Sequence, residues 1–323
     1  MSSAVVYETL FTRSIKFWIF LICQIPSILC SLFVLYHMFS SSTQRQTLAN
    51  HVIIVMLIVS FLSVTIDLSI TLNYLQTGTV DAQSSFLCYF WMFIDYVLYA
   101  EGIILLAWAS IERHVLIFSS QWYHTIYQKF FTHYFPILFC LIYPIIFYIY
   151  TIFFYSCDQI MNYHQYLCGS PCFKSNSFYL NGYDQIFHSF IPCLIIIICS
   201  LYLMIRVVRH KRRIQGQSFS WRKQRRMTIQ LLSVVCLYII MVTPPSVVLI
   251  IEKFYSTTFA KVEYALYIGY LYYFLILFLP FVWLGSVNDL RKKLRCHCLT
   301  RKSRVDILDG QIPMTAMPKI TVY

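Results

Sequence analysis

CYFWMFIDYVLYAEGIILLAWASIERH, residues 88–114, decides the fold of this chain. The stretch is apolar along almost its whole length and then closes on three titratable residues in a row, Glu112, Arg113 and His114. Ionised side chains are costly at bilayer depth, so the triplet marks where the segment leaves the hydrocarbon. Arg113 follows Cys88 by 25 residues. At ~1.5 Å of rise per residue, a helix of that length covers roughly 38 Å. That reaches both interfaces of a bilayer whose apolar core is about 30 Å thick. Cys88 then anchors one end of a spanning helix, and Glu112-Arg113-His114 the other.

The rest of the chain has the same character. Of its 323 residues 59% are hydrophobic and 12% charged, against about 25% charged in soluble domains. No single soluble core of this size buries so much apolar surface, so the expected solvent is a bilayer. Seven runs are long enough to cross one: Phe17–Phe39, Val52–Leu75, Leu87–Ile111, Tyr134–Tyr155, Gln185–Val208, Met227–Ile251 and Ala265–Leu284. A lone strand would leave its backbone unpaired in lipid, and barrel strands would be about half this length. The N-terminal MSSAVVYETLFTRSIKF lacks the features of a cleaved signal peptide, so the first run is expected to stay as an anchor. The predicted fold is an all-α membrane protein, a seven-transmembrane helix bundle with a short amphipathic eighth helix. Residues 1–16 form a short extracellular N-terminus, 17–284 the transmembrane domain, 285–298 the juxtamembrane amphipathic helix and 299–323 a cytoplasmic tail.

Charge sets the direction. The net charge is +12, and 20 of the 25 basic residues fall on one side of the seven runs. They include Arg45, Arg113, Lys129, the clusters RVVRHKRR (206–213) and WRKQRR (221–226), and the tail. The positive-inside rule places that side in the cytoplasm and the N-terminus outside, in the plasma membrane. The basic clusters suit anionic inner-leaflet lipid; nucleic acid is excluded as a partner for a chain so tied to the membrane. Cys88, Cys157, Cys168 and Cys172 fall on the outer side, where disulfides form. Four cysteines permit three pairings, and sequence does not decide among them. Cys88–Cys172 with Cys157–Cys168 is the preferred expectation, with Cys88–Cys168 close behind. No His/Cys spacing supports a metal site, and no cofactor is implied.

An outer cysteine, about 25 residues of helix and then Ser110-Ile111-Glu112-Arg113-His114 resembles the third helix of rhodopsin-like (class A) G-protein-coupled receptors. The motif there is Asp/Glu-Arg-Tyr, with His114 in place of the Tyr. The resemblance implies that Glu112 holds Arg113 at rest and that activation frees Arg113 for a heterotrimeric G protein. It runs over residues 15–298 and is eroded in detail. Asn50 matches the second helix, but Ser60 stands where the family keeps a sodium-binding Asp. Met241-Val242-Thr243-Pro244 keeps the proline of the sixth helix and loses its Trp. Leu279-Pro280-Phe281-Val282-Trp283 replaces Asn-Pro-x-x-Tyr. Pro192 fits the fifth helix, but Ser200 replaces the Tyr expected there, and Tyr202 lies out of phase. This pattern is similar to divergent chemosensory or orphan branches. SVNDLRKKLRCHC (286–298) resembles the family's eighth helix, with Cys296 and Cys298 as palmitoylation candidates.

The same resemblance points to an outer ligand site. Asp95, seven residues past Cys88, occupies the place where amine receptors keep the Asp that binds an ammonium. Trp91 and Tyr99 lie four residues either side of it, on its face. Tyr273, seven residues before Pro280, matches a Tyr that bonds that Asp, and Tyr270 lies one turn further out. An acid among aromatic faces suits a cation. Asp184 and His188, at i and i+4, are positioned to bind a second polar group or each other, most simply as a helix-surface pair. Asp67 is placed to line the pocket. Glu101 lies near mid-membrane on another face, bonded to a neighbouring helix or protonated. The expected function is a receptor for an extracellular ligand, a small cationic amine or a peptide, that signals to a G protein. Two alternatives stand beside it: a cation transporter or channel using Asp67, Asp95 and Glu101, and a receptor-like protein with weak or no coupling. The seventh run contains no lysine for a retinal Schiff base, and no nucleophile or metal-ligand constellation suggests an enzyme.

Overall fold

The computed structural model describes the backbone of residues 9–80, 84–118, 125–213, 218–254 and 267–286. It holds seven helices long and apolar enough to cross a membrane. They are α1 (Leu10–Ser40), α2 (Asn50–Thr77), α3 (Ser85–Leu116), α4 (Ile126–Phe154), α5 (Phe178–Arg206), α6 (Leu232–Ile251) and α7 (Ile268–Gly285). Among the described residues there is no strand. A chain that satisfies its backbone inside lipid must close its own hydrogen bonds, and helices do so segment by segment. Several helices run past the apolar stretch that predicts them, because caps extend them. The Thr9 side chain accepts from the Thr12 amide at the start of α1. The Ser177 hydroxyl accepts from the Leu180 amide, 3.2 Å away, and starts α5 in the polar segment FYLNGYDQ.

α3 runs through the middle of the bundle against α2, α4 and α5, while α7 packs on α1, α2 and α6. Leu57, Leu105, Val234 and Leu277 are buried between helices. Ile22, Leu29, Phe139, Ile146 and Ile198 are exposed, as lipid-facing side chains are. The helical backbone continues to Arg213 and resumes at Ser218. Residues 287–298, with most of the expected eighth helix and Cys296 and Cys298, lie outside the described residues, as do the tail and residues 1–8.

Three spanning helices contain wide π turns: Ser63–Asp67 in α2, Phe130–Tyr134 and Tyr150–Phe154 in α4, and Ile186–Phe190 in α5. Such turns shift the phase of everything beyond them and cluster at functional positions. Here they carry Asp67, His133 and His188.

Cys88, Cys157, Cys168 and Cys172 are bridged, but as Cys88–Cys168 and Cys157–Cys172. The preferred pairing is overturned by backbone shape. Leu167, Cys168 and Gly169 take φ of 54°, 53° and 99°. That left-handed turn brings Cys168 onto the start of α3, with Cα atoms 5.8 Å apart. Cys172 opens a five-residue helix, Cys172–Asn176, and meets Cys157 at a Cα separation of 6.1 Å. The segment 157–172 is thus a closed ring that is itself pinned to α3.

Candidate functional site

α3 carries a polar network at each end. At the disulfide end, the Asp95 carboxylate accepts from the Tyr166 hydroxyl, 3.1 Å away. Tyr166 comes from the loop, two residues before Cys168. Its oxygen is 2.7 Å from the Tyr273 hydroxyl, which lies 2.8 Å from the Thr71 hydroxyl. Burial, and then the charge of Asp95, push the Tyr166 phenol well above its ordinary range. One turn nearer the disulfide, the Trp91 indole N–H donates to Asp67 of α2 at 3.0 Å. Asp67 is 1% exposed and feels the Asp95 charge. Trp91 thus serves the second acid, wedged between Tyr74 and Tyr166, from the same face of α3 as Asp95. Tyr99 packs edge-on against Tyr272, with ring centres 4.9 Å apart. Tyr270 lies under the Lys16 ammonium at 4.0 Å and packs against Tyr166. Asp95, Tyr166, Tyr270 and Tyr273 come together; Trp91 and Tyr99 flank them.

A second network joins α4, α5 and the loop. Asp184, 4% exposed, receives the Lys174 ammonium at 2.9 Å and the Tyr148 hydroxyl. His188 Nδ1 lies 2.9 Å from the same carboxylate, and its Nε2 is 3.0 Å from the Tyr143 hydroxyl. Asp184 and His188 do bond each other, but as buried groups. The expected surface pair is corrected because the π turn between them rolls both residues into the bundle. Glu101 is also buried, and of its two expected roles the bond to a neighbouring helix is not seen among the described residues.

At the opposite end, Glu112 is 2% exposed. Its carboxylate is bonded to His133 Nδ1 on α4. His133 Nε2 is 2.9 Å from His51 Nδ1 on α2, and His51 Nε2 is 2.7 Å from the Arg45 carbonyl. Arg113 is 4% exposed and feels the Glu112 charge, yet among the described residues it makes no ion pair. The expected Glu112–Arg113 ion pair is thus not seen among the described residues, where Glu112 bonds His133. Adjacent helical residues project about 100° apart, and the π turn at Phe130–Tyr134 aims His133 at the acid instead. His114 Nε2 lies 2.7 Å from the Cys199 carbonyl, with its ring against Tyr202 at 5.2 Å. The out-of-phase tyrosine of α5 thus has a partner in the histidine that ends the motif. Ser60 donates to the Ile276 carbonyl at 3.1 Å, tying α2 to α7.

Sequence reasoning missed Tyr166, Lys174, Tyr148, His133 and His51. Tyr166 and Lys174 each stand two residues from a bridged cysteine, and His133 is a titratable group at the edge of an apolar run, so weak signals existed for three of them. Among the described residues, no group of three His, Cys, Asp or Glu side chains is arranged to hold a metal ion. A comparison with family models matches residues 31–282 to the 7 transmembrane receptor (rhodopsin family). A search of curated proteins returned no match.

Proposed function

The chain belongs to the rhodopsin family of seven-transmembrane receptors, and from that premise we propose that it is a plasma-membrane receptor coupled to a heterotrimeric G protein. In this reading the disulfide end faces outside and the N-terminus with it; the Arg113 end, the 206–226 segment and the C-terminal tail face the cytoplasm. The ligand binds in the outer half around Asp95, with Tyr166, Tyr270 and Tyr273, and a small cation is the class this acid and its aromatic faces suit best. Arg113 meets the G protein, and the basic segments rest on anionic inner-leaflet lipid.

The observation that carries the reading is that one central helix bears both networks. Asp95 and Arg113 sit 18 residues apart on α3, roughly 27 Å along a rigid rod. A change in the contacts at Asp95 has a direct mechanical route to Glu112 and Arg113. The test is a panel of cationic amines read out as nucleotide exchange on G protein. Arg113→Ala should abolish the response while surface expression persists, and Asp95→Asn should abolish it by removing ligand affinity. Agonist responses that survive Arg113→Ala overturn the coupling assignment. A second reading, a receptor-like protein with weak coupling, is favoured by one feature: Glu112 is engaged by His133, so freeing Arg113 requires no loss of an Arg113 ion pair. Ion flux without G protein, altered in Asp95→Asn, would instead support a channel.

A further inference from the structure

We infer that Lys174 is a built-in ligand cation that sets how many positive charges the outer site accepts; the inference rests on the cation reading of Asp95. The loop delivers this lysine deliberately. Pro171 precedes the helix Cys172–Asn176, the Cys157–Cys172 bridge fixes its first residue, and Phe173 is fully buried beneath it. The Asn181 side chain holds the Lys174 carbonyl at 2.8 Å. From that base the ammonium reaches Asp184 at 2.9 Å and lies over the Tyr96 ring at 4.2 Å. A carboxylate plus an aromatic face is what an alkylammonium binds, and here the site is seen holding one, supplied by the chain itself.

Tyr96 follows Asp95 directly in α3, and the charges of Asp95, Asp184 and Lys174 all act on its hydroxyl. The Lys174 charge also acts on Asp95. Tyr96 also packs on Tyr148, with ring centres 5.6 Å apart, and the Tyr148 hydroxyl bonds Asp184; one tyrosine thus links the Asp95 position to the Asp184 subsite. Lys174 fills the Asp184 subsite, leaving Asp95 for a ligand. A monocation meets one carboxylate. A dication would have to place its second ammonium where Lys174 already lies, against like charge and without a free acid. Remove the lysine charge and the pair Asp95/Asp184 becomes a diamine site.

The experiment uses the full-length protein in lipid nanodiscs at one fixed pH throughout. The probes are phenethylamine and a series of α,ω-diamines from 1,3-diaminopropane to 1,10-diaminodecane, with binding measured directly. Lys174→Met, and Lys174→Gln as the variant that keeps a donor to Asp184, should each gain about tenfold or more in affinity for a diamine of matching length. Phenethylamine affinity should stay within a factor of about three, and Lys174→Arg should behave as wild type. Adding Asp184→Asn to either neutral variant should erase the gain. If neither neutral variant gains affinity for any diamine, or if the gain survives Asp184→Asn, the inference is overturned. Asp95→Asn separates the two layers: phenethylamine binding that ignores this change removes the Asp95 reading, while an Asp184-dependent diamine gain would still uphold the role of Lys174.

Discussion

Replacing His133 with Phe should release the Arg113 end of the bundle. His133 is fully buried and bonded to Glu112, itself 2% exposed. Phe is close in size and shape, so packing is largely kept while the carboxylate loses its partner. Removing the hydrogen-bond partner of a buried acceptor costs about 1–3 kcal/mol, and more where the acceptor is charged. Three bonds run in series from Glu112 through His133 and His51 to the Arg45 carbonyl. They tie α3 to α4 and to the entry of α2. If the first of these bonds exists only in the resting arrangement, a loss of even ~3 kcal/mol shifts the equilibrium on the order of a hundredfold. An active state near 1% would then rise to about half of the population. The assay is ligand-free nucleotide exchange on G protein, normalised to receptor at the surface, with thermal stability measured in parallel. Glu112→Gln should raise basal exchange too, and the double variant should add little to either single change, since both remove the same bond. If His133→Phe lowers stability while basal exchange stays at the wild-type level, the bond is structural and does not distinguish the two states.

Other outcomes follow from the disulfide end. Tyr166→Phe removes the donor to Asp95 and the contact with Tyr273; a hydrogen bond to a charged acceptor contributes about 1.5–3 kcal/mol, and a thermal melt in lipid should fall accordingly. That difference should also depend on pH at the alkaline end. The folded phenol keeps its proton where the unfolded one has lost it, since burial and Asp95 raise it above its ordinary 10.0. Its contribution is complete below about pH 10 and fades as pH rises further, so the gap between wild type and Tyr166→Phe should stay level from pH 7 to 9 and change only beyond about 10. Gly78 ends α2 at φ 79°, with the Arg13 guanidinium lying where a Cβ would stand. Gly78→Ala should therefore cost about 1–2 kcal/mol of thermal stability from the left-handed backbone alone, and an unchanged melt would show that the turn relaxes freely.

The seven spans are legible because the bilayer imposes a run length that few other structures need. Cys88 and Arg113 are legible as opposite ends of one helix for the same reason, by counting residues against a thickness. The disulfide pairing is not legible in that way. It turns on three successive residues, Leu167, Cys168 and Gly169, with positive φ, two of which are types that rarely adopt it. Hydropathy carries no trace of such a turn.

The phase errors have a common origin. A reading that advances a uniform 100° per residue leaves Asp184 and His188 at the surface and gives no sign that Asp67 meets Trp91 or that His133 meets Glu112. Wide turns in α2, α4 and α5 interrupt that advance at Asp67, His133 and His188. Each turn then points a polar side chain across the bundle to a partner on another helix: Asp67 to Trp91, His133 to Glu112, His188 to Tyr143. A π turn leaves its helix with one poorly placed backbone bond, and in lipid no water relieves that cost. At these three turns an interhelical contact accompanies that cost. The same turns that defeat a periodic reading therefore mark the joints between helices, and a variant that straightens one, such as deletion of a single residue within Phe130–Tyr134, should uncouple His133 from Glu112 while leaving all seven spans in place.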